Sequence, residues 1–234
     1  MKSKILTHIR CHMHDAKLAA KSGVQGVNIY MATSKILREH SHGKGIDAVI
    51  ENARDVIQFL KESNLEIRFS CEDSFRSEMS DILKVYHEVS KLGINRVGVA
   101  DTVGVATPLQ VYETIKKVRG VIPDNVGIEF HTHNDTGCCI ANALMALEAG
   151  ASHIDTTVLG IGERNGITPL GGFLARMYTI DKEYVSSTYN LPLIRSLEKY
   201  IATCSDIQIP FNNYITGTAA FTHKAGTFSF LFFF

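Results

Sequence analysis

Val126-Gly127-Ile128-Glu129-Phe130-His131-Thr132-His133-Asn134-Asp135 alternates apolar and polar residues, then passes Gly137 into an apolar-rich segment, 138–149. Side chains alternate across a strand, so residues two apart share a face. The spacing predicts a strand over 126–133 with Glu129, His131 and His133 on one side. A helix over 138–149 follows, with Gly150 past its end. Two imidazoles side by side at a strand end can bind a divalent metal, and neutral imidazole suits Zn, Fe, Ni or Cu. A catalytic zinc takes three protein ligands and keeps one position open, so the pair raises the question of a third.

Outward from this stretch the same unit repeats. Strands are expected at 4–7, 26–30, 66–70, 96–100, 126–133 and 153–158. Helices are expected at 15–22, 46–63, 77–92, from Thr107-Pro108 onward, and at 138–149, 171–178 and 193–203. In 46–63 the apolar positions Ile46, Val49, Ile50, Ala53, Val56, Ile57 and Leu60 recur at helical spacing. Alternating strands and helices imply a parallel sheet with right-handed crossovers. An open doubly wound sheet and a (β/α)8 barrel both fit. The polar residues decide between them. His8 and Arg10, Ser70 and Glu72, Asp101 and Thr102, His131 and His133, and Thr156 and Thr157 all fall at C-terminal strand ends. A barrel carries its active site on that face with contributions from many strands, whereas an open sheet concentrates it at one switch point. The reading is an α/β chain forming an incomplete (β/α)8 TIM barrel of about six βα units.

The chain has 234 residues, 45% hydrophobic and 21% charged, with formal net charge zero. That length suffices for one α/β domain with a sizeable core. Zero net charge without a dense Lys/Arg cluster argues against nucleic-acid and membrane-surface partners. Five cysteines, none in a C-x-x-C pair, suit a reducing intracellular compartment. Cys138 and Cys139 stand at an expected helix start, where thiolates are favoured, although burial as small residues is the leading reading. No leader or membrane span is expected. The Phe-rich run at 228–234 is too short to span a bilayer and is an aggregation hazard, an aberrant end to the chain.

Arg68, Ser70 and Glu72 alternate and share a face. A guanidinium in a barrel mouth needs an anion. On spacing alone that anion is equally a bound carboxylate, held bidentately, or a salt bridge to Glu72 or Glu129. Asp101 is a candidate metal ligand, base or acceptor for backbone N–H groups, the last leading. The Gly160–Gly166 loop suits close backbone approach to a ligand but is no Walker loop, and Glu163 with Arg164 reads as a loop-ordering pair. His40, His42, His87, His153 and His223 stand alone as surface or satisfied core residues. No G-x-S-x-G nucleophile elbow is present.

His131-Thr132-His133-Asn134-Asp135-Thr136-Gly137 resembles the signature of the α-isopropylmalate synthase/homocitrate synthase family, among the DRE-TIM metallolyase barrels of pyruvate carboxyltransferase type. The match is sharpened by Leu6-Thr7-His8-Ile9-Arg10-Cys11-His12, by the segment 68–77 (RFSCEDSFRS), by 159–172 (LGIGERNGITPLGG) and by Ile209-Pro210-Phe211-Asn212-Asn213. Over residues 3–226 the chain is similar to fungal-type homocitrate synthases.

The resemblance implies a divalent-metal-dependent Claisen condensation of acetyl-CoA with 2-oxoglutarate, the first step of lysine biosynthesis by the aminoadipate route. It implies His131 and His133 as metal ligands, with Zn²⁺ first and Mg²⁺ or Mn²⁺ as alternatives, and a third carboxylate ligand on a strand that has no match here. The positions matching Arg68, Ser70 and Thr102 would hold the far carboxylate of the oxo acid, and His8 and Glu129 would line the pocket. Lysine would inhibit by competition, the full-length form would be a homodimer, and the compartment would be mitochondrial or cytosolic.

Departures accompany the match. The family's L-R-E/D-G-E-Q-type first-strand motif is absent, as is its C-terminal region bearing a catalytic His and Tyr. Asn28 stands where fungal homologues carry Asp. The expected organisation is therefore a partial barrel domain at 1–180 lacking two βα units, the start of a helical region at 181–226, and the apolar tail at 227–234. A truncated non-catalytic remnant is the alternative, as is an isopropylmalate or citramalate synthase. Open strand edges predict poor solubility or oligomerisation when the chain is expressed alone.

Overall fold

A computed structural model describes residues 3–223, so the tail at 227–234 and residues 224–226 lie outside the described residues. The chain divides into two compact units, Met1–Asp155 and Thr156–Phe234.

The first unit runs β1 (Leu6–Arg10), α1 (Met13–Lys21), β2 (Gly26–Ala32), a short α2 (Lys35–Leu37) passing into a π-helical turn (Arg38–His42), α3 (Ile46–Glu62), β3 (Glu66–Glu72), α4 (Met79–Ser90), β4 (Arg96–Asp101), α5 (Pro108–Arg119), β5 (Gly127–Thr132), α6 (Cys139–Glu148) and β6 (His153–Ile154). All six strands form one sheet in the order β1-β2-β3-β4-β5-β6, each pair parallel. Each crossover therefore reaches the next strand, and the order never reverses. A doubly wound sheet needs such a reversal, so the open-sheet alternative falls and the arrangement is that of a barrel wall.

The helices form because their apolar positions line one side. In α3 the buried residues are Val49, Ile50, Ala53, Val56, Ile57 and Leu60, at the one-, three- and four-residue spacings of a single helix face. Helix α5 starts with a capping box between Thr107 and Gln110, with Pro108 in its first turn. Ile67, Phe69 and Cys71 of β3 and Ile128 and Phe130 of β5 join these helices in one core. The intervening strand residues, Arg68 and Ser70, Glu129 and His131, lie on the opposite face.

Several boundaries differ from expectation, and three bear on the site: strand β5 ends at Thr132, so His133 lies just past it. Strand β1 begins at Leu6, so His8 and Arg10 lie within it, and β6 ends at Ile154, so Asp155 is already past the strand.

The second unit contains α7 (Leu170–Tyr178), α8 (Lys182–Thr188) and α9 (Leu191–Cys204) around Leu174, Val185 and Ile194. Its buried Glu198 accepts hydrogen bonds from Asn213 Nδ2 and Thr216 Oγ1, tying the 213–216 turn to α9. Helix α8 has no clear sequence signal; Asp181 caps it by accepting from Tyr184 N at 2.9 Å.

Burial pushes the thiols of Cys11 and Cys71 up to about 12. At pH 8 roughly one in 10⁴ such thiols is ionised, and the thiolate is the nucleophile. Iodoacetamide at pH 8 should label exposed Cys204 in the native chain and spare Cys11 and Cys71, read by peptide mass spectrometry. Rapid native labelling of Cys71 would contradict the packing described here.

Candidate metal and oxo-acid site

The polar face of the sheet carries a chain of ion pairs in which charge alternates. Lys4 Nζ meets Glu66 at 2.6 Å, Glu66 meets Arg96 Nη2 at 2.6 Å, and Arg96 Nε meets Glu129 at 3.1 Å. Glu129 accepts from Arg68 Nη1, which also reaches Asp155 Oδ2 at 3.3 Å. Asp155 Oδ2 in turn lies 3.2 Å from His131 Nδ1. The His131 and His133 rings meet edge to face, with centroids 5.0 Å apart. Three cations and three carboxylates precede the histidines, so the ladder closes at zero charge.

Arg68 is buried, and its sequence reading is now resolved in part. Its protein partners are Glu129 and Asp155; Glu72 is not among them. Burial lowers its pKa first; the negative charge of Asp155 opposes this and Arg96 adds to it. Both ion pairs use Nη1. Its Nε is buried with no hydrogen-bond partner among the described residues. Gly98 borders that atom, and a Cβ at 98 would come within 2.9 Å of Arg68 Nε and of Ser70 Oγ.

The neighbouring hydroxyls are fixed by backbone. Ser70 Oγ donates to Gly98 O at 3.1 Å, and Thr102 Oγ1 accepts from Asp73 N at 2.8 Å. His8 stacks on Tyr30, with centroids 4.6 Å apart and rings 9° from parallel. Partial burial, then the positive charges of Arg68 and His131, hold His8 below the ordinary imidazole value; Asp155 opposes them.

Asp155 is the residue that sequence reasoning missed. The strand was expected to reach 158, which put Thr156 and Thr157 at its end. It stops at Ile154, and the Asp155 N–H donates to Phe130 O at 3.0 Å, so the carboxylate lies beside His131. Burial alone would raise Asp155. The hydrogen bond from His131, then the charges of Arg68, His131 and His8, outweigh that and hold it below the ordinary carboxylate value.

Asp101 has the structural role. Fully buried at the end of β4, it accepts from Val105 N at 3.0 Å, Ala106 N at 3.2 Å and Thr132 Oγ1 at 3.2 Å. Burial raises its pKa against the pull of these hydrogen bonds. The turn it braces brings Gly104 against the His133 loop. Thr136 Oγ1 donates to Gly104 O at 2.6 Å, and a Cβ at 104 would lie 2.7 Å from Asp135 N and 2.8 Å from His133 O. Glu163 and Arg164 pair with each other at 3.6 Å.

As metal donors, His131 and His133 fit as a pair, with adjacent rings and a carboxylate behind one of them. Among the described residues no group of three His, Cys, Asp or Glu side chains is arranged to hold a metal ion. The two imidazoles that the sequence singled out are thus adjacent, and among the described residues no third such side chain joins them. No helix among the described residues is long and apolar enough to cross a membrane.

The model of the HMGL-like family matches residues 1–201. The mitochondrial homocitrate synthase of Schizosaccharomyces pombe is 59% identical over 226 residues, covering 97% of this chain and 54% of its own length. The cytosolic homocitrate synthase isozyme of Saccharomyces cerevisiae is 57% identical over 226 residues, with 97% and 52% covered. The chain spans about half the length of the curated relatives it matches. Among solved structures, the hydroxymethylglutaryl-CoA lyase of Pseudomonas aeruginosa superposes with a TM-score of 0.73 at 17% identity, over 91% of this chain and 73% of that one. The HMG-CoA lyase of Brucella melitensis gives 0.73 at 17% identity, over 87% and 74%. These two likenesses concern the fold.

Proposed function

The chain belongs to the HMGL-like family, and from that premise we propose that its site is built for homocitrate synthesis, the condensation of acetyl-CoA with 2-oxoglutarate. The observation that carries the reading is the state of Arg68. Its Nη1 is occupied by Glu129 and Asp155, while Nε is buried and unpartnered, with Gly98 packed against it. The Nε edge of a guanidinium is a bidentate seat for a carboxylate. 2-Oxoglutarate has a second carboxylate to fill it; the branched apolar oxo acid of an isopropylmalate synthase does not.

Charge balance supports the same reading. The ion-pair ladder is already neutral, so a dicarboxylate arrives with about two uncompensated charges in a poorly solvated site. A divalent cation offsets them. His131 and His133 would hold it, as Zn²⁺ first and Mg²⁺ or Mn²⁺ as alternatives; when bound, it would polarise the keto group as a Lewis acid. Ser70 and Thr102 would line the seat of the far carboxylate, with Ser70 exchanging its bond to Gly98 O for the ligand. His8 and Glu129 would bound the pocket, Glu129 by holding Arg68 in place. Lysine as competing inhibitor, a homodimeric full-length form and a mitochondrial or cytosolic location belong to the same reading.

The two-imidazole donor set favours a second reading, in which the chain binds metal or oxo acid without turning over. An assay of CoA release from acetyl-CoA, 2-oxoglutarate and Zn²⁺ separates the two. Homocitrate synthesis predicts turnover well above that of the His131→Ala, His133→Ala double variant. Rates equal to that control would leave the binding-only reading.

A further inference from the structure

Asp155 is pinned twice. Its N–H donates to the carbonyl of Phe130, the residue before His131, and its Oδ2 faces both His131 Nδ1 at 3.2 Å and Arg68 Nη1 at 3.3 Å. An ionised carboxylate only accepts hydrogen bonds. The contact with His131 therefore requires the ring proton on Nδ1, and the proton on one imidazole nitrogen decides which nitrogen is left to bind. We infer that Asp155 is a positioning residue that fixes His131 as its Nδ1–H tautomer and so reserves Nε2 as the ring's metal-binding atom. Arg68 contributes by holding the same carboxylate oxygen at 3.3 Å. The ligand half of this inference rests on the metal reading above; the tautomer half does not.

A residue serving only as counter-ion to Arg68 would leave the His131 tautomer indifferent to substitution. Long-range ¹H–¹⁵N correlation of the ¹⁵N-labelled, metal-free chain at pH 8 distinguishes the two roles. The expected result is a protonated Nδ1 at His131 in the unmodified chain and in Arg68→Met, and loss of that state in Asp155→Ala. In parallel, Zn²⁺ titrated against a chromophoric chelator should bind Asp155→Ala about 10- to 100-fold more weakly. Asp155→Asn, which keeps an acceptor oxygen and the side-chain volume, should recover part of both.

An Nε2–H tautomer at His131 in the unmodified chain overturns the inference with no substitution needed, so a variant that fails to fold does not shield it. An unchanged tautomer in Asp155→Ala overturns it equally. If Zn²⁺ binds the parent and Asp155→Ala alike, only this inference falls. If the parent binds no Zn²⁺, the metal reading falls and takes the ligand half with it.

Discussion

Replacing Arg68 with methionine is expected to destabilise the first unit by about 3 kcal/mol and to abolish binding of a dicarboxylic oxo acid. Removing one partner of a buried ion pair costs about 3–5 kcal/mol, because the other charge stays buried. The lower end applies here, since Glu129 keeps Arg96 and Asp155 keeps His131. Urea denaturation measures the stability change and calorimetry with 2-oxoglutarate measures the binding. Arg68→Lys separates the two effects. Lysine keeps the charge but has no planar fork, so most stability should return while binding stays weak. Adding Glu129→Gln to Arg68→Met should recover stability without restoring binding. A stability change in Arg68→Met below about 0.5 kcal/mol, the scatter of ordinary surface substitutions, would refute the ion-pair account.

Replacing Asp101 with alanine is expected to cost roughly 2–5 kcal/mol. The substitution strands the Val105 and Ala106 N–H groups, both now satisfied by one buried carboxylate, while the Thr132 hydroxyl keeps His133 O as an acceptor at 3.2 Å. Each buried donor left without a partner costs about 1–3 kcal/mol. Asp101→Asn should cost less, because its amide oxygen can keep one of the three donors. The His133 N–H donates to the backbone carbonyl of Asp101 at 3.1 Å, so loosening this turn should also weaken Zn²⁺ binding by the His131 and His133 pair. Unchanged stability in Asp101→Ala would mean that water replaces the carboxylate, and the bracing role would be wrong.

How much of this was legible in the sequence follows from the range of each interaction. Strand and helix alternation is local: the apolar spacing of 46–63 and the Thr107-Pro108 start mark α3 and α5 within a residue or so. The shared face of Glu129, His131 and His133, and that of Arg68 and Ser70, follows from period two alone. The partner of Arg68 does not. Glu72 is close in sequence, whereas Glu129 is 61 residues away and becomes a neighbour through strand order and register. Asp155 was hidden by an error of a few residues in the end of β6, because a two-residue strand leaves almost no alternation to read. Helix α8, with its serines and threonine, has too little apolar periodicity to announce itself; its cap at Asp181 was the available signal.

Gly104 sets the unit in which this site can be inherited or engineered. The His133 loop rests against a glycine of the adjacent strand's turn, with no room for a Cβ, and is tied to it by Thr136 and through Asp101. The His-Thr-His-Asn-Asp stretch grafted onto another barrel would carry the two imidazoles without the surface that orients them. The transplantable module is a strand pair with both of its exit turns, β4 through Gly104 and β5 through Thr136. Neighbouring turns so interlocked must change together, which makes residues 101–104 and 132–136 a single block for any redesign of the proposed metal site.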